Sequence, residues 1–282
     1  MSIYNKLKLT IDKILLRTVF IPKYIIYNRY KKSSGVSKTN NNLIVSLTTF
    51  PKRFNVVHLT IESILNQTVK PDQIVLWLIR DEIEEHGIPE HIKKLTSRGL
   101  DIEVIDENLK PYNKLIFALE KYPNSNIITV DDDIIYPGWF ISKLLLKSYS
   151  FPGCIIAYRC LEVLTKNNKL EKYVLWTDSD IKEATSKLFF TGVGGVLYPP
   201  NSLYKDVLNR KLFTKLSPSA DDIWFNVMAF LQNTKVIQAT GKWTEFPSTP
   251  NSQDIALSKT NVALNENDIK LQNVYNYYRL FK

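Results

Sequence analysis

The stretch Ile127-Ile128-Thr129-Val130-Asp131-Asp132-Asp133-Ile134-Ile135-Tyr136-Pro137 decides how this chain is read. Four β-branched residues run straight into three carboxylates, and a Tyr-Pro pair ends the run. The first part has the length and branching of a buried strand. In open α/β sheets, ligands bind where parallel strands end at their carboxyl side. Three adjacent acids there repel one another; at ~4 Å two like charges cost about 1 kcal/mol in water, and several times that near a protein surface. A hard divalent cation, which prefers oxygen ligands, removes that cost. If the segment stays extended, Asp131 and Asp133 point the same way and can share a cation while Asp132 points elsewhere. The plain alternative is a solvated acidic turn after a strand.

Upstream, apolar runs and helical spacings alternate. Strands are predicted at Leu43–Leu47, Gln73–Ile79 and Asp101–Ile105, and helices at Val56–Leu65, Pro89–Arg98 and Pro111–Tyr122. Gly99 and Pro111 stand where a helix stop and a helix start belong. A β-α-β-α-β-α-β order implies an α/β fold, with a mostly parallel sheet and helices on both faces. Downstream, a helix is predicted over Gly138–Tyr149. Cys154–Arg159, Tyr173–Trp176 and Leu188–Phe190 then read as strands of a mixed half. Thr191-Gly192-Val193-Gly194-Gly195 holds three glycines in four residues, which suits either a close approach to a ligand or a tight bulge. It has neither the dinucleotide-binding spacing nor the Gly-Lys-Ser/Thr of a phosphate loop. A second acidic pair, Asp221-Asp222, opens the apolar run Ile223–Phe230. Capping a helix needs one acid, so the pair leaves a spare carboxylate, and Asp222 is the candidate for chemistry.

The totals bound the partners. The chain has 282 residues, 44% hydrophobic and 12% aromatic, enough to bury a substantial core. Its net charge of +9 is uneven: residues 1–38 hold nine Lys or Arg against Asp12, a balance of +8, which leaves +1 for the rest. Within that arm basic and apolar residues alternate, which suits an amphipathic segment on an anionic membrane surface; the alternative is an ordinary packed helix. Nucleic acid is not expected, because the body lacks a basic face. Residues 33–42 read as a linker. The expected division is a basic arm over 1–38, a globular domain over 39–245 and a tail or helix over 246–282. No secretory signal and no run of ~18 apolar residues is visible. Cys154 and Cys160, expected on one strand, read as buried thiols of a reducing compartment.

Other chemistries are poorly provided for. His58, His86 and His91 lack zinc spacing, and neither a nucleophile elbow nor the phosphatase pattern of Asp-x-Asp followed by Gly-Thr occurs. Carboxylates and a cation remain as the main tool. A cation held by two acids suits a substrate diphosphate, and a separate carboxylate such as Asp222 can orient or deprotonate an acceptor hydroxyl.

These residues resemble a GT-A-fold glycosyltransferase. The likeness rests on Ser46-Leu47-Thr48-Thr49 with Arg53 behind it, on Ile61-Glu62-Ser63-Ile64-Leu65-Asn66-Gln67-Thr68, similar to the first helix of family 2 enzymes, and on the triple Asp. Asn113-Lys114-Leu115 and Asp221-Asp222-Ile223…Asn226 resemble exostosin-type enzymes. The likeness covers roughly residues 43–240. It implies a Rossmann-like, mostly parallel sheet with a mixed acceptor-side half, and Mn²⁺ or Mg²⁺ with a UDP-sugar donor. Thr48 and Arg53 would line the uridine and diphosphate side. Asn113 and Lys114 would face the nucleotide or its phosphates, although the exostosin-type pattern has Arg where Lys114 stands. Asp131 would sit near the ribose or the metal and Asp132 near the donor sugar. Asp133 would ligate the metal, with Asp131 as the other candidate ligand. Asp222 would meet the acceptor or donor sugar, and the Gly192–Gly195 turn would lie on the acceptor side. The Gln/Arg-x-x-Arg-Trp signature of processive synthases is missing, which implies one sugar per encounter. The expected setting is the cytoplasmic face of a membrane, with a bacterial surface glycan or glycolipid as acceptor. A nucleotidyltransferase or pyrophosphatase, and a non-catalytic lipid-binding module, are the alternatives.

Overall fold

The computed structural model describes residues 33–37, 42–167, 169–250 and 266–280. Most of the basic arm, residues 1–32, lies outside them. The parallel half comes first: β1 (Leu43–Thr48), α1 (Phe54–Leu65), β2 (Gln73–Ile79), α2 (Arg80–His86), α3 (Glu90–Lys93), β3 (Leu100–Ile105), α4 (Asn113–Lys121) and β4 (Asn126–Thr129). Then follow α5 (Phe140–Ser150), β5 (Ile155–Ala157), β6 (Cys160–Glu162), β7 (Thr165–Lys166), β8 (Lys169–Leu170), β9 (Leu188–Phe190) and β10 (Val196–Tyr198). The chain closes with α6 (Arg210–Leu216), α7 (Asp221–Leu231), β11 (Val236–Gln238) and α8 (Glu266–Tyr278).

Seven strands form the main sheet in the order β11-β5-β10-β4-β1-β2-β3. Every neighbour is parallel except β10, which runs antiparallel to both β4 and β5. The sheet is thus mostly parallel with a mixed half, as the resemblance implies. Strict alternation divides its side chains between two cores. Leu43, Val45, Leu47, Ile74, Leu76 and Ile128 meet α1 and α5 on one face. Ile44, Val75, Trp77, Ile127 and Val196 meet α4, α6, α7 and α8 on the other.

Several expected boundaries move. The helix expected over Pro89–Arg98 is a short α3 followed by a 3₁₀ segment, Lys94–Arg98, that Gly99 ends at φ 106°. A 3₁₀ turn at Lys110–Tyr112 precedes α4. Tyr173–Trp176, expected as a strand, contains the 3₁₀ turn Tyr173–Leu175; Val174 and Leu175 face solvent, so nothing there buries a strand's second face. The helix α2 was not foreseen, because its only large apolar residue is Ile83. Cys154 precedes β5 while Cys160 opens β6 in a separate two-stranded sheet, so they do not share a strand; both are free and buried. Among the described residues no helix is long and apolar enough to cross a membrane.

Candidate active site

The parallel register sets Ser46 of β1 opposite Thr129 of β4. Three residues beyond each, Thr49 and Asp132 meet, and the Thr49 hydroxyl donates to Asp132 Oδ2 at 2.6 Å. Here the backbone stops being extended and turns at Asp132–Asp133. The turn breaks the alternation expected for the three acids. Asp132 and Asp133 share one partner: Arg53 Nη1 pairs with Asp132 Oδ1, and Nη2 lies 3.2 Å from Asp133 Oδ2. Asp131 swings to the other side, where Lys114 Nζ lies 3.1 Å from its Oδ1.

Lys114 joins a second set of acids. It stands in the first turn of α4, whose start is tied to the sheet. Trp77 Nε1 donates to Ser46 Oγ at 2.8 Å, and Ser46 Oγ in turn donates to the Lys114 carbonyl. Lys114 Nζ is also 3.8 Å from Asp221 Oδ2. That oxygen is buried and makes no hydrogen bond among the described residues. Asp222 Oδ1 accepts from the Gly192 N–H at 2.8 Å. A Cβ on Gly192 would lie 3.0 Å from both Asp222 Oδ1 and Lys114 Nζ, so the missing side chain is what lets these groups close up. Gly194 and Gly195 serve the turn instead, at φ 83° and 98°. Close approach and tight turn therefore divide between the glycines. Neither Asp221 nor Asp222 caps α7; Ala220 holds the cap position with no side-chain bond. Asn226 fixes that helix to β9, exchanging bonds of 2.9 and 2.7 Å with the Phe190 backbone.

Burial and crowding raise the pKa values of Asp132, Asp133, Asp221 and Asp222. Asp133 is pushed up to about 6 by burial, then by Asp131. Asp222 is pushed up to about 8 by burial, then by Asp221. Burial also raises Asp132 and Asp221. Burial alone would lower Lys114, but Asp131, Asp221 and Asp222 outweigh it and hold it firmly charged.

Of the other expected residues, two turn elsewhere. Thr48 donates its hydroxyl to the Trp77 carbonyl at 3.1 Å. Asn113 accepts from the Leu109 N–H at 2.8 Å, closing the turn ahead of α4. Asp131, Asp132, Asp133, Arg53, Lys114 and Asp222 do come together.

Several supporting groups were missed. The buried face of α1 carries polar residues that clasp the acidic loop. Thr60 Oγ1 donates to the Asp132 carbonyl at 3.0 Å, and Ser63 Oγ accepts from Tyr136 N–H at 3.0 Å. Gln67 reaches both the Pro137 carbonyl at 2.8 Å and the Ile141 N–H at 3.1 Å. Tyr136 returns its hydroxyl to accept from Asp131 N–H at 2.9 Å. From the far side Thr249 N–H donates to the Asp133 carbonyl at 2.7 Å. The available signal was polar residues at helical spacing inside an otherwise apolar face of α1.

Among the described residues no three His, Cys, Asp or Glu side chains gather as a closed metal cage. The donor chemistry nevertheless fits an oxygen-preferring cation. Five carboxyl groups converge on two protein cations, and one buried carboxylate oxygen lacks a hydrogen bond. Mg²⁺-like ions at phosphate sites commonly use only one or two carboxylates and take the rest from substrate and water.

No family model matches the chain, and no curated protein matches it. Among solved structures, Staphylococcus aureus TarS 1–349 aligns at TM-score 0.47 and 12% identity, covering 72% of this chain and 59% of that one. Its complex with UDP-GlcNAc aligns at TM-score 0.47 and 12% identity, covering 72% and 57%. The mannosyltransferase PcManGT of Pyrobaculum calidifontis, in complex with GDP-Man and Mn²⁺, aligns at TM-score 0.43 and 13% identity, covering 80% and 65%. The chain thus spans less than two thirds of each of these structures.

Proposed function

We propose that this chain is a metal-assisted glycosyltransferase that moves one sugar from a nucleotide-diphosphate donor, UDP-linked by the sequence resemblance, to a hydroxyl acceptor. One observation carries the reading: five carboxyl groups and two firmly held cations converge where β1 and β4 end. That arrangement suits a ligand which is itself a polyanion bridged by a cation. In this reading Asp133 and Asp131 hold Mn²⁺ or Mg²⁺, which requires Asp133 to exchange Arg53 for the cation, since the two acids face different protein cations. When bound, the cation screens the diphosphate and stabilises it as a leaving group. Arg53 and Lys114 complete the charge balance on the diphosphate side, and Thr49 and Arg53 keep Asp132 fixed toward the donor sugar.

Asp222 is the acceptor-side group. It is only partly buried, while its neighbour Asp221 is buried against Lys114. Its high pKa suits a carboxyl that exchanges a proton with an acceptor hydroxyl near neutral pH. A bacterial surface glycan or glycolipid is the proposed acceptor. The basic arm over residues 1–38 would hold the chain on the anionic inner face of a membrane.

The test is a panel of UDP- and GDP-sugars incubated with the protein and Mn²⁺, with products followed by NMR. One donor should be consumed to nucleoside diphosphate and a glycoside or free sugar. Asp222→Asn should slow that consumption about 10²–10⁴-fold, the usual size of a general acid–base contribution. Release of pyrophosphate or inorganic phosphate instead would make the chain a nucleotidyltransferase or pyrophosphatase.

A further inference from the structure

Among the described residues nothing covers one face of helix α5. Its buried side is complete: Phe140, Ile141, Leu144 and Leu145 pack into the core shared with α1. On the outer side Leu146 is 61% exposed and Tyr149 69%, and Trp139, just ahead of the helix, is 40% exposed. Residues 139, 146 and 149 recur at helical spacing and form one stripe along α5. Lys143 lies within that stripe and Lys147 beside it, and residues 139–150 contain no acid. Along the helix these apolar and aromatic side chains are flanked by Lys143 and Lys147, a pattern complementary to an anionic lipid surface, while Glu245 lies across the cleft beside Trp139.

The root of the basic arm lies on the same side. Gly35 packs so closely on Leu65 at the end of α1 that a Cβ would clash at 2.2 Å. Gly35 N–H donates to the Arg98 carbonyl at 2.7 Å, and Ser37 N–H to the Pro71 carbonyl at 3.0 Å. Thr68, just past α1, donates its N–H to the Gly138 carbonyl at 2.8 Å, at the entry to α5. The arm, with a balance of +8, therefore joins the body on the α1/α5 face of the sheet. Its charge has the same sign as the α5 lysines, so the arm itself is a poor cover for the stripe. A surface that attracts both is negative.

We propose that the exposed stripe of α5 is a second membrane contact, which sets the outer side of α5 against an anionic bilayer. This rests on the membrane reading of the arm for its setting and on the stripe for its geometry.

The test uses the full chain carrying Leu146→Cys labelled with an environment-sensitive fluorophore, with Lys211→Cys on α6, across the sheet, as the control. Vesicles of phosphatidylglycerol and phosphatidylcholine mixtures are the probe. The label at 146 should shift to the blue with rising phosphatidylglycerol, and the label at 211 should not. Lys143→Glu with Lys147→Glu should lower the partition coefficient about 30-fold or more, as about 1 kcal/mol for each of the two basic residues requires. Replacing Lys6, Lys8 and Lys13 by Gln tests the arm separately. If those replacements change nothing while the label at 146 still shifts, the arm reading falls and the stripe stands. An unshifted label at 146 on vesicles that bind the chain overturns the proposal. So does a shift that appears without vesicles as protein concentration rises, since that outcome means a second copy covers the stripe.

Discussion

Two groups of charges meet at the end of β4, and they are built differently. On the α1 side, Arg53 holds Asp132 and Asp133, and Thr49 adds a hydrogen bond to Asp132. On the α4/α7 side, one lysine faces Asp131, Asp221 and Asp222, and Asp221 Oδ2 makes no hydrogen bond among the described residues. The first group is a brace, with a forked cation and a loop clasped by α1. The second is short of positive charge and of donors, and it contains the carboxyl whose pKa reaches about 8. Buried charge is tolerated only when it is paired and hydrogen-bonded. The poorly paired half is therefore where a ligand would be expected to supply what the protein leaves out.

Lys114→Met should break the contrast most severely. It leaves three acids facing one another without their cation, and removal of one partner from a buried ion pair costs about 3–5 kcal/mol. Denaturant unfolding measures this, and a loss below about 1 kcal/mol would mean the three acids are not held by Lys114. On the braced side, Thr49→Val should cost less, about 1.5–3 kcal/mol for a hydrogen bond to a charged group. A loss equal to that of Lys114→Met would erase the distinction between the two halves.

The third prediction concerns the sign of a pH dependence. The folded pKa of Asp222 lies above its unfolded value of about 3.9. The stability associated with its proton is then fully present below that unfolded value and is lost as pH rises through about 8. Asp222→Asn imitates the protonated form and keeps an acceptor for the Gly192 N–H. Thermal melts from pH 4 to 9 should show the variant gaining on the wild-type protein as pH rises. A variant that loses stability relative to the wild-type protein as pH rises contradicts the assignment.

Much of this was legible before the structure. The β-branched run into Asp131–Asp133 named the central strand, and the alternation of apolar runs with helical spacings named a mostly parallel sheet. The paired acids at 221–222 drew attention to residues that the fold brings beside Lys114. What could not be read was set by partners distant in sequence. The acids divide between Arg53 and Lys114 because the chain turns at 132–133, and only the β1–β4 register brings Thr49 rather than Thr48 to them. Thr60 and Ser63 look like polar blemishes in an apolar helix, and Gln67 like part of the turn after it, until the loop they clasp is placed against them. In the mixed half, strands of two or three residues lie below the length at which period-2 alternation is visible. Tyr173–Leu175 shows the same limit, since an apolar triplet alone does not say whether a neighbouring strand will pair with it.

The most direct measurement is a calorimetric titration of UDP with and without Mn²⁺, on the wild-type protein and on Asp133→Ala. A metal held by Asp131 and Asp133 and completed by a nucleotide diphosphate predicts binding that requires Mn²⁺ and disappears in Asp133→Ala. Binding that ignores both the metal and the substitution, or no binding to the wild-type protein under either condition, would contradict it.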